Sequence, residues 1–310
     1  MSDLNITTTS TTTAARRRLG GRWIDDWRPE DGEFWNTIGK AVARRNLIYS
    51  VFSEHIGFSV WSVWSVLVLF LGSNYGFDPA QKFLLTAAPT LVGAALRLPY
   101  TFAVGKFGGR NWTIVSALLL LIPSLGLAYF VGRPETPFWL MALVAATAGA
   151  GGGNFASSMT NINAFYPARL KGWALGVNAG GGNLGVPAVQ LVGLLVLATL
   201  GAQHPRAVVA IYIPLIVLAA VGAVVKMDNL RVNSNRKGAI REVSRHSETW
   251  IMSLLYIGTF GSFIGFRVRL RPGSARAVRR PVPPAGESGG ADLPRSPAWL
   301  VDPPNRWCFG

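Results

Sequence analysis

Cysteine is all but absent: one residue, Cys308, stands in a chain of 310. That excludes a disulfide framework and a cysteine-based metal site. Charge is scarce as well, at 15% of residues, where a soluble domain carries about a quarter. The three histidines, His55, His204 and His246, are scattered, and no two acids sit together within an apolar stretch. No nucleophile and base, and no metal cluster, can be drawn from such a set, so neither an enzyme nor a cofactor is expected. What the chain has instead is apolar: half its residues are hydrophobic, with 35 Gly and 11 Trp.

The apolar residues gather into seven nearly uncharged runs, at about 49–72, 83–105, 112–131, 138–163, 172–200, 207–225 and 250–266. At 1.5 Å per residue the first six can each cross about 30 Å of hydrocarbon. The seventh has 17 residues and then meets Arg267, Arg269 and Arg271, so it barely reaches. An all-α protein embedded in the lipid bilayer is predicted.

Lys and Arg outnumber Asp and Glu by 30 to 15, which on a soluble chain would suggest nucleic acid. Their placement removes that reading. The arm before the first run carries Arg16, Arg17, Arg18, Arg22, Arg28, Lys40, Arg44 and Arg45. Loop 2–3 adds Lys106 and Arg110, loop 4–5 adds Arg169 and Lys171, and loop 6–7 adds Lys226, Arg231, Arg236, Lys237, Arg241 and Arg245. The alternate loops hold Lys82, Arg133 and Arg206 alone. By the positive-inside rule the N-terminus lies in the cytoplasm of a multi-pass plasma-membrane protein, and topology accounts for the charge without nucleic acid.

The predicted organisation is therefore a cytoplasmic arm over 1–48, a six-helix bundle over 49–225, a cytoplasmic loop over 226–249, a partial seventh helix over 250–266 and a tail over 267–310. Asn5 to Thr13 is Thr-rich and reads as disordered. Phe34 to Asn46 reads as a short amphipathic helix on the inner surface, with Trp35 and Ile38 on its apolar side and Lys40, Arg44 and Arg45 toward headgroups.

Arg97 is the one basic residue inside any run. From the ends of the second run it lies roughly 12 Å and 21 Å deep, beyond easy snorkelling. Its planar guanidinium suits a planar anion through two parallel hydrogen bonds; the alternative is a structural pair with a carboxylate. The acid available is Glu54, which reads as interfacial near the start of the first run, or as a proton relay with His55.

Glycine is the second feature. Gly149 and Gly151 to Gly153 fall in the fourth run, and Gly172, Gly176 and Gly180 recur every four residues in the fifth. Such a face permits close helix packing. Asn154, Asn161, Asn178 and Asn183 lie among them, and amides in hydrocarbon need partners. The alternative is a lining of N–H donors around a small anion.

The run from Gly172 to Val186, GWALGVNAGGGNLGV, resembles the signature of the nitrate/nitrite porters of the major facilitator superfamily. GGNFASSMTNI over 152–162 is similar to that family's fourth span, GKFGGR over 105–110 to the superfamily's loop 2–3 motif without its usual acid, and SLLYIGTFGSFIGF over 253–266 to the seventh span. Arg45-Asn46-Leu47 and Glu54 to Phe58 match too. The resemblance implies the N-terminal six-helix half of a twelve-helix transporter plus a partial seventh helix, with an anion site between two pseudo-symmetric halves. It implies Arg97 as the nitrate-binding arginine, Phe155 and Phe260 as the aromatic sandwich, and Tyr256 and Asn178 as hydrogen-bonding groups. Gly176 and Gly180 belong to the signature. Nitrate or nitrite is the implied substrate, by antiport or proton coupling; another small anion or solute of the same superfamily is the alternative.

The resemblance stops at Phe266. The following 44 residues hold eight Arg, no Lys, eight Pro and five Gly. That composition predicts a reading-frame shift near codons 266–267 and a disordered tail, the alternative being a natural tail after seven spans. A half-transporter of this kind is expected to be inactive alone, or completed by a C-terminal half from another polypeptide.

Overall fold

The computed structural model describes residues 22–231, 242–259 and 261–262. The Thr-rich arm, the tail over 267–310 and Phe260 lie outside them. Two units are distinguished, Met1–Lys237 and Gly238–Gly310.

In the first unit the chain turns into helix at Asp31, whose side chain accepts hydrogen bonds from the backbone N–H groups of Glu33 and Phe34. This N-cap satisfies donors that have no partner within the helix. A short helical turn, Gly32–Phe34, and a π-helical turn, Trp35–Gly39, lead directly into α1, Lys40–Ser62, with Trp64–Leu67 as its continuation. Phe34 to Asn46 is therefore not a separate surface helix, as the sequence predicted, but the foot of the first span. Trp35 is buried there, with its ring 5.6 Å from that of Tyr166, and it joins Trp27, Ala43, Leu47, Ile162 and Phe165 in an apolar cluster. Indole burial against these partners outweighs any attraction of the headgroup region.

The remaining segments follow in order. α2 is Pro79–Phe107, opened by Asp78 in a capping box with Gln81. The third segment is α3, Gly109–Leu119, and α4, Leu121–Phe130; the fourth is α5, Phe138–Thr147, and α6, Gly149–Phe165. The fifth is α7, Ala168–Asn183, and α8, Gly185–Leu200, and the sixth is α9, Pro205–Lys226. The breaks within the fourth and fifth segments fall just before Gly149 and Gly185, where a residue of low helix propensity lets the turn tighten.

Five helical runs, Pro79–Phe107, Gly109–Phe130, Phe138–Phe165, Ala168–Leu200 and Pro205–Lys226, are long and apolar enough to cross a bilayer by length and composition. They coincide with the second to sixth predicted segments. The first segment falls outside that group because α1 carries Asn46, Ser50, Ser53 and Glu54 along one face, all of them buried. Leu91, Leu191 and Leu195 are exposed.

Glycine decides how closely the helices meet. A Cβ on Gly151 would collide with the carbonyl oxygen of Gly57, and one on Gly93 would lie 2.8 Å from Trp61 Nε1. That indole donates to the carbonyl of Pro89 at 2.9 Å, tying α1 to α2. The glycines of the fourth segment are thus packing residues, which brings α1, α2 and α6 together.

One end of the bundle gathers the basic segments. Strand β1, Trp23–Ile24, pairs in parallel with β2, Asn229–Leu230. Asp228 is buried between Arg22, at 3.3 Å, and Arg45, and accepts from Asn46 Nδ2 at 3.1 Å. Arg110 donates to Val224 O at 2.9 Å, and Glu30 accepts from the backbone N–H of Ala168 at 2.8 Å. At the other end Tyr75 donates to Val131 O and Lys82 to Leu71 O, each at 2.5 Å.

In the second unit, residues 247–259 are helical. Tyr256 lies on that helix with its side chain exposed.

Candidate functional site: an anion anchor and a buried carboxylate

Arg97 sits ten residues before the end of α2, about 15 Å along the axis. Its guanidinium carbon stands 5.2 Å from the centroid of the Phe155 ring on α6, within cation–π range. Phe155 in turn lies 5.9 Å from Phe58 on α1, and the two pack with Trp61 and Val186. The backing of Phe155 by two more aromatic rings fixes the plane against which Arg97 rests. The guanidinium is half-buried, and it is a planar group whose N–H donors lie in its plane.

Asn178 takes a different place. It is fully buried on α7, with Nδ2 2.7 Å from Glu54 Oε2 and also in hydrogen-bond reach of Ser158 Oγ on α6. Ser158 Oγ donates to the same carboxylate oxygen. Glu54 itself is wholly enclosed by protein, fourteen positions into α1. Glu54 Oε1 has no hydrogen-bond partner and lies 2.5 Å from where a Cβ on Gly182 would stand. His55 Nδ1 is 3.1 Å from Gly181 O.

Gly176 and Gly180 are exposed, and a Cβ on either would meet nothing within 4 Å. They lie two residues on either side of Asn178, which on a helix is nearly the opposite face. The structure therefore divides the signature: Asn178, Gly182 and Gly185 face α1, whereas Gly172, Gly176 and Gly180 face outward. The four-residue glycine stripe packs against no described helix. The other amides are mostly consumed in packing. Asn154 Nδ2 donates to Ser53 O at 3.2 Å and Asn154 Oδ1 accepts from Ser116 Oγ at 3.1 Å, while Asn183 bonds its own helix at Ala179 O.

Arg97 and Phe155, both named for the site by the family resemblance, thus lie together. Asn178 joins a second cluster beside them, and Phe260 lies outside the described residues. What the sequence reading missed is the Glu54 and Ser158 pairing. Its signal was available: Asn46, Ser50, Ser53, Glu54 and Gly57 recur at helical spacing, a polar face that water or protein must cover.

Five helical runs long and apolar enough to cross a bilayer, joined through glycine-tight crossings, describe a multi-helix membrane protein. A sequence model of the Major Facilitator Superfamily matches residues 55–270. The nitrate/nitrite transporter NarU of Salmonella typhimurium is 41% identical over 259 residues, covering 78% of this chain and 56% of its own. The probable nitrate/nitrite antiporter NarK2 of Thermus thermophilus is 38% identical over 267 residues, covering 79% and 59%. The nitrite extrusion protein of Bacillus subtilis is 28% identical over 216 residues, covering 69% and 52%. The chain belongs to the Major Facilitator Superfamily, and within it to the nitrate/nitrite porters, as the signature over 172–186 implies. It spans little more than half the length of these relatives.

Proposed function

We propose that this chain contributes one wall of a nitrate or nitrite transporter that works by alternating access, with Arg97 as the electrostatic anchor of the anion. The observation that carries the reading is the Arg97 guanidinium held 5.2 Å over Phe155, deep in the second span. A planar anion can take a bidentate pair of hydrogen bonds from the guanidinium and lie parallel to the ring that supports it. The names of the relatives support nitrate or nitrite as that anion, and supply no indication of catalysis.

The second wall would come from helices beyond the six described, either on a continuation of this chain or on a complementary polypeptide. Tyr256 and Phe260 are proposed to contribute from the seventh segment, and Gly176 and Gly180 to offer their open face to the opposing half. Asn178 acts on the anion through Glu54 rather than by contact. The arm, loop 2–3, loop 4–5 and loop 6–7 meet at one end of the bundle through Asp228, Arg110 and Glu30, which supports the cytoplasmic placement of the N-terminus.

The test is nitrate binding to the purified chain in lipid nanodiscs, by calorimetry, against chloride and sulfate. Saturable nitrate binding that Arg97→Lys weakens supports the assignment. Equal affinity in the two proteins removes Arg97 from the site.

A further inference from the structure

We propose that Trp61 is a positioning residue for the anion anchor: its indole sets the separation of α2 and α6 at the level where Arg97 meets Phe155. The inference rests on the nitrate reading above and concerns what holds the two binding groups in register.

The indole is gripped by two helices. Trp61 is buried on α1. A Cβ on Gly93 of α2 would lie 2.8 Å from its Nε1, and one on Gly152 of α6 would lie 2.9 Å from the same atom. Gly93 stands four residues before Arg97 and Gly152 three residues before Phe155, so each grip falls about one helical turn from an anchor residue. With no side chain at either position, both helices close onto the ring until its own bulk stops them. A bicyclic ring has no internal torsion with which to yield, and a close-packed interior transmits such a displacement instead of absorbing it.

The orientation of the ring is fixed as well. Its Nε1 donates to Pro89 O at 2.9 Å, one turn before Gly93 on α2. Trp61 also meets Phe58 at 5.4 Å between ring centroids, Phe58 meets Phe155 at 5.9 Å, and the Arg97 guanidinium carbon lies 5.2 Å from the centroid of Phe155. The contacts form a closed circuit, from Pro89 on α2 through Trp61 and Phe58 on α1 to Phe155 on α6, and back to α2 at Arg97. In such a circuit a change in the indole becomes a change in the spacing of Arg97 and Phe155.

The consequence for the anion is geometric. Two parallel hydrogen bonds from a guanidinium hold a planar anion in the plane of the fork, so affinity depends on where that fork stands relative to the groups beside it. Trp61 acts on that position through Gly93, Gly152 and Phe58.

The experiment combines nitrate calorimetry on the 310-residue chain in nanodiscs with the fluorine resonance of para-fluorophenylalanine in place of Phe155. Arg97→Lys alters the cation beside that ring, so the change in resonance it produces reports the Arg97–Phe155 contact. Trp61→Phe, which loses the donor to Pro89 and the second ring, is expected to weaken nitrate binding by about threefold to tenfold, the scale of one neutral hydrogen bond, and to alter the resonance change that Arg97→Lys produces. Gly93→Ala crowds the indole from α2 while leaving Trp61 in place, and is expected to do the same; it carries both readouts should Trp61→Phe fail to fold. Wild-type affinity in Trp61→Phe, or a weakened affinity with an unaltered response to Arg97→Lys, overturns the proposal and leaves the nitrate reading intact, Trp61 then being a packing residue. If the unsubstituted chain binds no nitrate, the nitrate reading fails and the fluorine response decides the role of Trp61: a response altered in the variants supports it, and an unaltered one overturns it.

Discussion

The carbonyl oxygen of Gly57 on α1 occupies the space that a Cβ on Gly151 of α6 would need. The first and fourth segments therefore meet backbone to backbone, and Phe58, the residue after Gly57, reaches Phe155 from that crossing. The placing of Phe155 beside Arg97 thus depends on an approach that only glycine permits.

Gly151→Ala is accordingly expected to destabilise the bundle by about 2–3 kcal/mol, since the obstacle is main chain and cannot rotate aside. Thermal unfolding in detergent, followed by size-exclusion fluorescence, checks this. Gly176→Ala is the control: with nothing within 4 Å of the added methyl and alanine the better helix former, its melting temperature should equal or exceed that of the wild type.

Arg97→Lys keeps the charge and loses the planar fork beside Phe155. Nitrate affinity should fall by about 10- to 100-fold, corresponding to about 1.5–3 kcal/mol for charged hydrogen bonds, with little change in melting temperature. Calorimetry and unfolding on the same preparations separate the two effects.

Asn154 joins three segments through one amide, bonding Ser53 O on α1 and Ser116 Oγ on α3. Asn154→Ala leaves both partners buried and without that bond. A loss of about 1–3 kcal/mol in stability is expected, read as an earlier unfolding transition. Asn154→Asp, which retains the acceptor for Ser116 and loses the donor to Ser53, should not restore it.

At the basic end, Asp228 is the shared acceptor for Arg22, Arg45 and Asn46. Its loss strands cations that are themselves partly enclosed. Asp228→Asn should cost about 2–4 kcal/mol, somewhat less than breaking a fully buried pair because both arginines keep some water. The prediction is checked by limited proteolysis: cleavage after Arg22, Arg28 or Arg45 should speed up if the arm is released.

The helices of the second to sixth predicted segments were legible in the sequence, because a stretch of about 20 uncharged residues admits few other states. The second to sixth segments appear where the apolar runs predict them. The foot of the first was misread. Trp35 and Ile38 have an amphipathic pattern that serves equally for a surface helix and for the base of a span, and only the ring of Tyr166 against Trp35 separates the two.

The candidate site divides in the same way. Arg97 declared itself by charge alone, since a guanidinium in hydrocarbon demands a reason. Phe155 entered through the family resemblance, and the fold places it beside Arg97. The burial of Glu54 was not legible, because it depends on α6 and α7 bringing Ser158 and Asn178 against α1.

By itself the sequence determined a multi-pass helical protein with one intramembrane arginine and a glycine-rich pair of segments, because hydrophobicity and charge act locally along a chain. Tertiary structure alone decided which glycines are contacts and which are open. It turned Asn178 toward Glu54 and Gly176 and Gly180 away, since the identity of a helix face that meets a neighbour is settled only when all six segments pack.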